Sequence, residues 1–387
     1  MIRTLLMIPG PVEVDAGVLA AMAQPPLSHM SAAFVETFGA CLDALRDVFR
    51  APDGQPFVVA GSGTLAMEMA VANVVEPGDR AVVVDTGYFS HRMADILARH
   101  GAVVESVSAP AGDCPPLERV ESALKAGAEV LTVTHVDTST GVLAPISDLA
   151  ALARRYHALV VVDGVCALGG ETFEMQAWDV DVCLTASQKA LAVPPGLALV
   201  MAGPRAVEAF QARKRPAGSY YCDWGLWLPI MRAYQARKPS YFGTPPTNLI
   251  VALSESVKQV LKEGMEARWA RHRKLGASMR AAMQALGLTL VPVRPELLAD
   301  TLTTVYYPDG IDDTLVGRIA QHGVAVAGGL HPDIKGRYFR IGHMGVLCEG
   351  EIRQTVAAIE AALKDAGHRG EVGAGVAAAQ AAYERTR

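Results

Sequence analysis

The chain predicts an α/β fold: a large domain with a mainly parallel sheet flanked by helices, followed by a smaller C-terminal α+β domain. Three observations predict it. Short β-branched runs alternate with helical patterns, several of those runs are apolar throughout, and the rhythm breaks after Lys214. A strand buried on both faces shows no polar side, so a run without alternation marks the interior of a parallel sheet. A length of 387 residues exceeds one ordinary core and suits two domains.

Residues 1–19 read as an N-terminal arm containing Pro9-Gly10-Pro11, and 20–253 as the large domain. Its strand signals are Phe57-Val58-Val59 and the runs 81–84, 103–107, 130–133, 159–162 and 182–185. Helical patterns at 64–75, 90–100, 116–126 and 147–156 lie between them, each introduced or ended by Gly, Pro, Ser or Asp. The stretch 214–248 is rich in Tyr, Trp, Pro and Gly, and a long polar helix pattern then runs from 254 to about 286. That helix and the short strands of 301–363 form the second domain, 254–367, and the Ala/Gly-rich tail 368–387 reads as poorly ordered.

Composition narrows the function. A net charge of −5 with no basic run leaves no stripe for nucleic acid. Apolar stretches stop well short of the roughly 20 residues of a membrane span, and the N-terminal residues lack the order of a secretory signal. These features predict a cytoplasmic protein with small-molecule partners. The six cysteines show neither a C-x-x-C pair nor metal-ligand spacing to a histidine, which predicts reduced, mostly buried thiols, no metal and no disulfide framework.

Three segments carry chemistry. Gly61-Ser62-Gly63-Thr64 follows one strand and opens a helix, where small residues let backbone N–H groups approach a phosphate at the positive helix end. Asp163 follows the apolar strand 159–162 and so faces the crevice at the strand C-termini, where a carboxylate can hold a pyridinium nitrogen protonated. Lys189, in Ser187-Gln188-Lys189, is one of only nine lysines and sits in apolar sequence, where desolvation favours the neutral amine that a Schiff base requires. Phosphate turn, strand-end aspartate and buried lysine together match the needs of pyridoxal 5'-phosphate.

The chain resembles the class V (fold type I) pyridoxal-phosphate aminotransferases, and within them the alanine–glyoxylate and serine–glyoxylate group. The resemblance spans Pro9-Gly10-Pro11, 60–64, 134–142, Val162-Asp163, 187–197, 241–246 and Arg340-Ile341-Gly342. It implies that Ser62, Gly63, Thr64 and Gln188 hold the cofactor phosphate, that Asp163 pairs with the ring nitrogen and that Lys189 carries the cofactor. Phe89, or its neighbour Tyr88, takes the place of the stacking aromatic, and Thr138, or Ser139, that of the donor to the ring hydroxyl. Tyr241 and Thr244 resemble the pair contributed by a neighbouring subunit, which implies a homodimer with shared active sites. Arg340 looks like the residue that grips the substrate carboxylate, a task suited to a guanidinium fork.

The implied reaction moves an amino group from alanine or serine to a small 2-oxo acid such as glyoxylate by a ping-pong scheme. Met30 stands where many relatives carry a basic residue, a departure at the pocket mouth. Within the same fold, a 2-aminoethylphosphonate–pyruvate aminotransferase is the runner-up, although its substrate has no carboxylate for Arg340. A cysteine desulfurase is disfavoured by Gln188 and by the apolar neighbours of Cys348. A non-catalytic dimer of this fold is disfavoured by the joint presence of Lys189, Asp163 and Arg340.

Overall fold

A computed structural model describes residues 4–386; residues 1–3 of the expected arm and residue 387 of the expected tail lie outside the described residues. Seven strands form the central sheet: β1 (Gln55–Ala60), β2 (Arg80–Asp85), β3 (Val103–Ser108), β4 (Val130–Thr134), β5 (Leu159–Asp163), β6 (Val182–Ala186) and β7 (Leu197–Ala202). Their spatial order is β1-β7-β6-β5-β4-β2-β3. All run parallel except β7, which is antiparallel to β1 and β6. Each of the six runs read from the sequence falls inside a strand. The seventh, β7, was not separated from the apolar stretch that follows Lys189.

The parallel strands end at one edge, and the residues just past those ends build the site. Burial explains their composition: β4 and β6 are buried at every residue, so β-branched and aliphatic side chains fill both faces. Helices cover them: α1 (Ala16–Met22), α2 (Ala32–Phe49), α3 (Gly63–Val74), α4 (Tyr88–Arg99), α5 (Leu117–Leu124), α6 (Ile146–Arg155), α7 (Pro204–Gln211), α8 (Trp224–Gln235) and α9 (Thr247–Glu263). In α2 the buried Phe34, Phe38, Leu42 and Leu45 recur at helical spacing, and the Ser31 hydroxyl caps the helix by accepting from the Phe34 N–H.

A second apolar core gathers Leu275, Met279, Phe339, Ile341 and Ile359. Its helices are α10 (Met265–Ala285), α11 (Thr314–Gln321), α12 (Glu349–Asp365) and α13 (Ala374–Arg385). Its sheet contains β8 (Leu302–Tyr306), β9 (Ala327–Gly328) and β10 (Tyr338–Gly342), antiparallel in the order β8-β10-β9. The arm crosses to this unit, where Leu5 and Leu6 pair with Val324 and Ala325. Among the described residues no helix is long and apolar enough to cross a membrane.

Two expectations are corrected. The boundary at 253/254 falls inside α9, which packs on α1 and α2 with Leu253, Val257 and Val260 in the large core. The break comes at Gly264, with φ of 85°, so the expected single helix is two. The tail is not poorly ordered throughout: α13 docks on α10 and α12, burying Ala379 and Ala382, and the Ser278 hydroxyl donates to the Ala379 carbonyl. Alanine's helix propensity and small volume suit close helix contact, which composition alone had read as disorder.

Candidate active site

One cavity at the strand ends is walled by Ser62, Gly63, Thr64, Phe89, Thr138, Asp163, Gln188 and Lys189, all named from the sequence. Met67, Arg92, Thr134, Val136, Val165 and Cys166 complete its wall. The phosphate-turn candidates lie where β1 passes into α3, with Ser62 at the extended N-cap position and Gly63 and Thr64 opening the helix. Its hydroxyl makes no capping bond, which leaves the N–H groups of the first turn to an anion. A Cβ on Gly63 would meet Val165 Cγ2 at 3.0 Å, so glycine keeps this turn close to the wall beside Asp163.

Asp163 ends β5 and is buried; its Oδ1 accepts from the Val165 N–H at 2.9 Å. Burial, opposed by that hydrogen bond, pushes its carboxyl up to about 6. Lys189 follows β6, and its Nζ donates to the Pro9 carbonyl of the arm. Burial holds its ammonium below the ordinary lysine value, and the Arg340 charge adds to that effect. Gly10 makes the approach possible. Its φ is 110°, and a Cβ there would lie 2.7 Å from Lys189 Cδ and 2.9 Å from Nζ.

Asp137 was not singled out from the sequence, yet it organises the opposite wall. It accepts from the Phe89 N–H at 3.0 Å, the Ser139 N–H at 2.9 Å and the Ser139 hydroxyl at 2.6 Å. The start of α4 is thus capped by a residue distant in sequence, which turns Phe89 and Thr138 to the cavity. Tyr88 and Ser139, the two alternatives, are absent from its wall. The Ser139 hydroxyl is spent on Asp137 and on the Tyr88 N–H.

Three named residues lie outside the wall. Arg340, on β10, donates from Nε to the Gly328 carbonyl at 2.7 Å and from NH1 to the Thr138 carbonyl at 3.3 Å, which places it beside the cavity. Tyr241 and Thr244 are exposed, and the Tyr241 ring lies 5.3 Å from that of His29, next to the exposed Met30. The expectation for Cys348 is corrected: its thiol is exposed at the N-cap of α12 despite apolar neighbours in sequence. The cavity's own thiol, Cys166, is pushed up to about 12 by burial and stays protonated, which suits no sulfur nucleophile.

The aminotransferase class-V family model matches residues 19–342. The chain belongs to this family. Alanine–glyoxylate aminotransferase 1 of Saccharomyces cerevisiae is 39% identical over 358 residues, covering 88% of this chain and 92% of that protein. The L-aspartate–glyoxylate aminotransferase of Paracoccus denitrificans is 36% identical over 392 residues, covering 98% and 96%. Among solved structures, the ureidoglycine–glyoxylate aminotransferase of Bacillus subtilis superposes with a TM-score of 0.92 at 29% identity, covering 99% of this chain and 98% of that one.

Class V aminotransferases are pyridoxal-phosphate enzymes, and this aminotransferase has the groups for that cofactor. A buried carboxylate, a half-buried amine and a small-residue turn at a helix N-terminus meet in one cavity. The Gln188 side chain supports the fit independently, because its Oε1 is buried without a hydrogen-bond partner. A buried amide oxygen is costly to leave incomplete, and a hydrogen-bond donor on a ligand would satisfy it; with the amide turned over, its NH2 group faces the same place and can donate to a phosphate.

Proposed function

We propose that this aminotransferase moves the amino group of a small L-amino acid, alanine or serine, to glyoxylate by a ping-pong mechanism. The observation that carries the reading is the meeting of Lys189 and Asp163 in one cavity beside Arg340. The acceptor is supported by the relatives, whose names give different donors but share glyoxylate.

In this reading Ser62, Gly63, Thr64 and Gln188 hold the cofactor phosphate, Phe89 covers the ring and Thr138 donates to its hydroxyl. When bound, pyridoxal phosphate supplies the electron sink that makes loss of the substrate Cα proton accessible. Asp163 keeps the ring nitrogen protonated. Lys189 is the attachment point, and once displaced by the substrate amine its Nζ carries the proton away from Cα. Its lowered affinity for protons suits that task, because a neutral amine is the competent base. Arg340, fixed by two backbone carbonyls, offers its remaining donors to the substrate carboxylate.

The same proposal includes a homodimer in the cytoplasm. Tyr241 and Thr244 are exposed and off their own chain's cavity wall, as residues that complete a second subunit's site would be. Tyr220 and Tyr221 are exposed nearby in sequence, and aromatic residues of this kind are enriched at covered interfaces. Five buried free thiols suit a reducing compartment.

Steady-state kcat/KM with L-alanine, L-serine, L-aspartate and 2-aminoethylphosphonate, each against glyoxylate and pyruvate, tests the assignment. Alanine or serine with glyoxylate is expected to give the highest value. Preference for the phosphonate with pyruvate would transfer the assignment to the runner-up.

A further inference from the structure

Arg92 has no part in the roles assigned above, yet it stands in the cavity wall. It lies on α4, one turn beyond Phe89, with its guanidinium carbon 4.9 Å from the Phe89 ring centroid and 5.3 Å from that of Tyr88. Its NH1 donates to the Thr64 hydroxyl oxygen at 2.9 Å. One planar cation therefore touches both the ring that covers the cofactor plane and a hydroxyl of the phosphate turn.

The direction of that hydrogen bond matters. A threonine hydroxyl has one hydrogen to donate and two lone pairs to accept with. Because arginine can only donate, Arg92 occupies a lone pair, and the Thr64 hydrogen is left to point elsewhere. Donation to a hydroxyl from a charged group also strengthens the hydroxyl as a donor. Among the described residues, no carboxylate forms an ion pair with Arg92. Its charge is met by the aromatic faces and, at longer range, by the Asp163 carboxylate.

We propose that Arg92 is a positioning residue for phosphate recognition: by donating to Thr64 it fixes that hydroxyl as a donor to the cofactor phosphate, while its unpaired charge attracts the anion. The inference rests on the pyridoxal-phosphate reading of the cavity. Stacking against Phe89 holds the guanidinium in place, so the helix carrying the ring and the helix carrying the turn are set by one side chain.

The test is equilibrium binding of pyridoxal 5'-phosphate and of unphosphorylated pyridoxal to the apoprotein, followed by visible absorbance, for wild type, Arg92→Met, Arg92→Lys, Thr64→Val and the double variant Arg92→Met/Thr64→Val. Arg92→Met is expected to weaken pyridoxal phosphate binding by about tenfold or more, the scale of one hydrogen bond to a charged group, with less than about threefold change for pyridoxal. Arg92→Lys keeps the charge and is expected to recover part of the loss. The double variant is expected to lose less than the product of the two single losses, because both remove one coupled interaction. Equal weakening for both ligands, unchanged binding or simple multiplicativity would overturn the proposal. If wild type itself binds neither ligand, the reading of the cavity fails instead. Should Arg92→Met not fold, the comparison of Thr64→Val with Arg92→Lys retains the same two-ligand contrast.

Discussion

Asp163 shows how burial works in two directions at one residue. With its carboxyl pushed up to about 6 from an unfolded value of 3.8, the folded apoprotein holds a proton there more tightly than the unfolded chain does. Its contribution to apoprotein stability is therefore fullest below the unfolded value and is lost as pH rises through about 6. In the proposed arrangement the cofactor would reverse the balance, because a protonated ring nitrogen favours the ionised carboxylate. Asp163→Asn keeps an oxygen for the Val165 N–H and removes the charge. It is expected to stabilise the apoprotein at pH 8 by up to about 3 kcal/mol in chemical denaturation, while transaminase kcat falls at least about 100-fold. A destabilised apoprotein or an undiminished kcat would contradict the assignment.

Residues whose meaning is local were legible. Ser62, Gly63 and Thr64 sit at a strand-to-helix turn, Asp163 ends an apolar strand and Lys189 follows another, so order along the chain sufficed to nominate them. Arg92 and Asp137 were not legible, because their roles arise where distant segments meet. The Phe89 N–H and the Asp137 carboxylate are 48 positions apart, and Arg92 and Thr64 are 28 apart. No periodicity reports such a meeting. Residue type did leave a clue for Asp137, a carboxylate in a turn of otherwise neutral residues.

At the scale of elements, the interior parallel strands were readable because burial on both faces writes an unbroken apolar run, whereas the mostly exposed edge strand β3 showed only its valines. Position in the chain was less readable where helices touch. Gly264 was the visible signal for the break between α9 and α10, but continuing polarity on both sides masked it. In the tail, Gly367, Gly370 and Gly373 suggested disorder, whereas the following alanines form a helix that lies against α10. Ala379 is fully buried at that contact. Ala379→Asp places an unpaired carboxylate there and is expected to cost about 3 kcal/mol or more of unfolding free energy, read by denaturant titration. No loss would mean that α13 does not contribute to the second core.

For the whole molecule, the two apolar cores and the arm converge on one place. The sheet edge supplies the turn at Ser62, Gly63 and Thr64 together with Asp163 and Lys189, the second core supplies Arg340, and the arm supplies the carbonyl that accepts from the Lys189 amine. Motion of the second unit against the first would thus move Arg340 relative to Lys189. Convergence of this kind suits an enzyme that must accept two substrates in turn at one site.

The most direct measurement is the visible absorbance of the purified holoenzyme as L-alanine or L-serine is added without acceptor, followed by glyoxylate, with Lys189→Ala in parallel. Wild-type protein is expected to lose its yellow band on adding the donor and regain it with glyoxylate, whereas Lys189→Ala completes no such cycle. A wild-type spectrum that no amino donor changes, or a Lys189→Ala protein that cycles normally, would contradict the assignment of Lys189 as the cofactor-bearing residue of a transaminase.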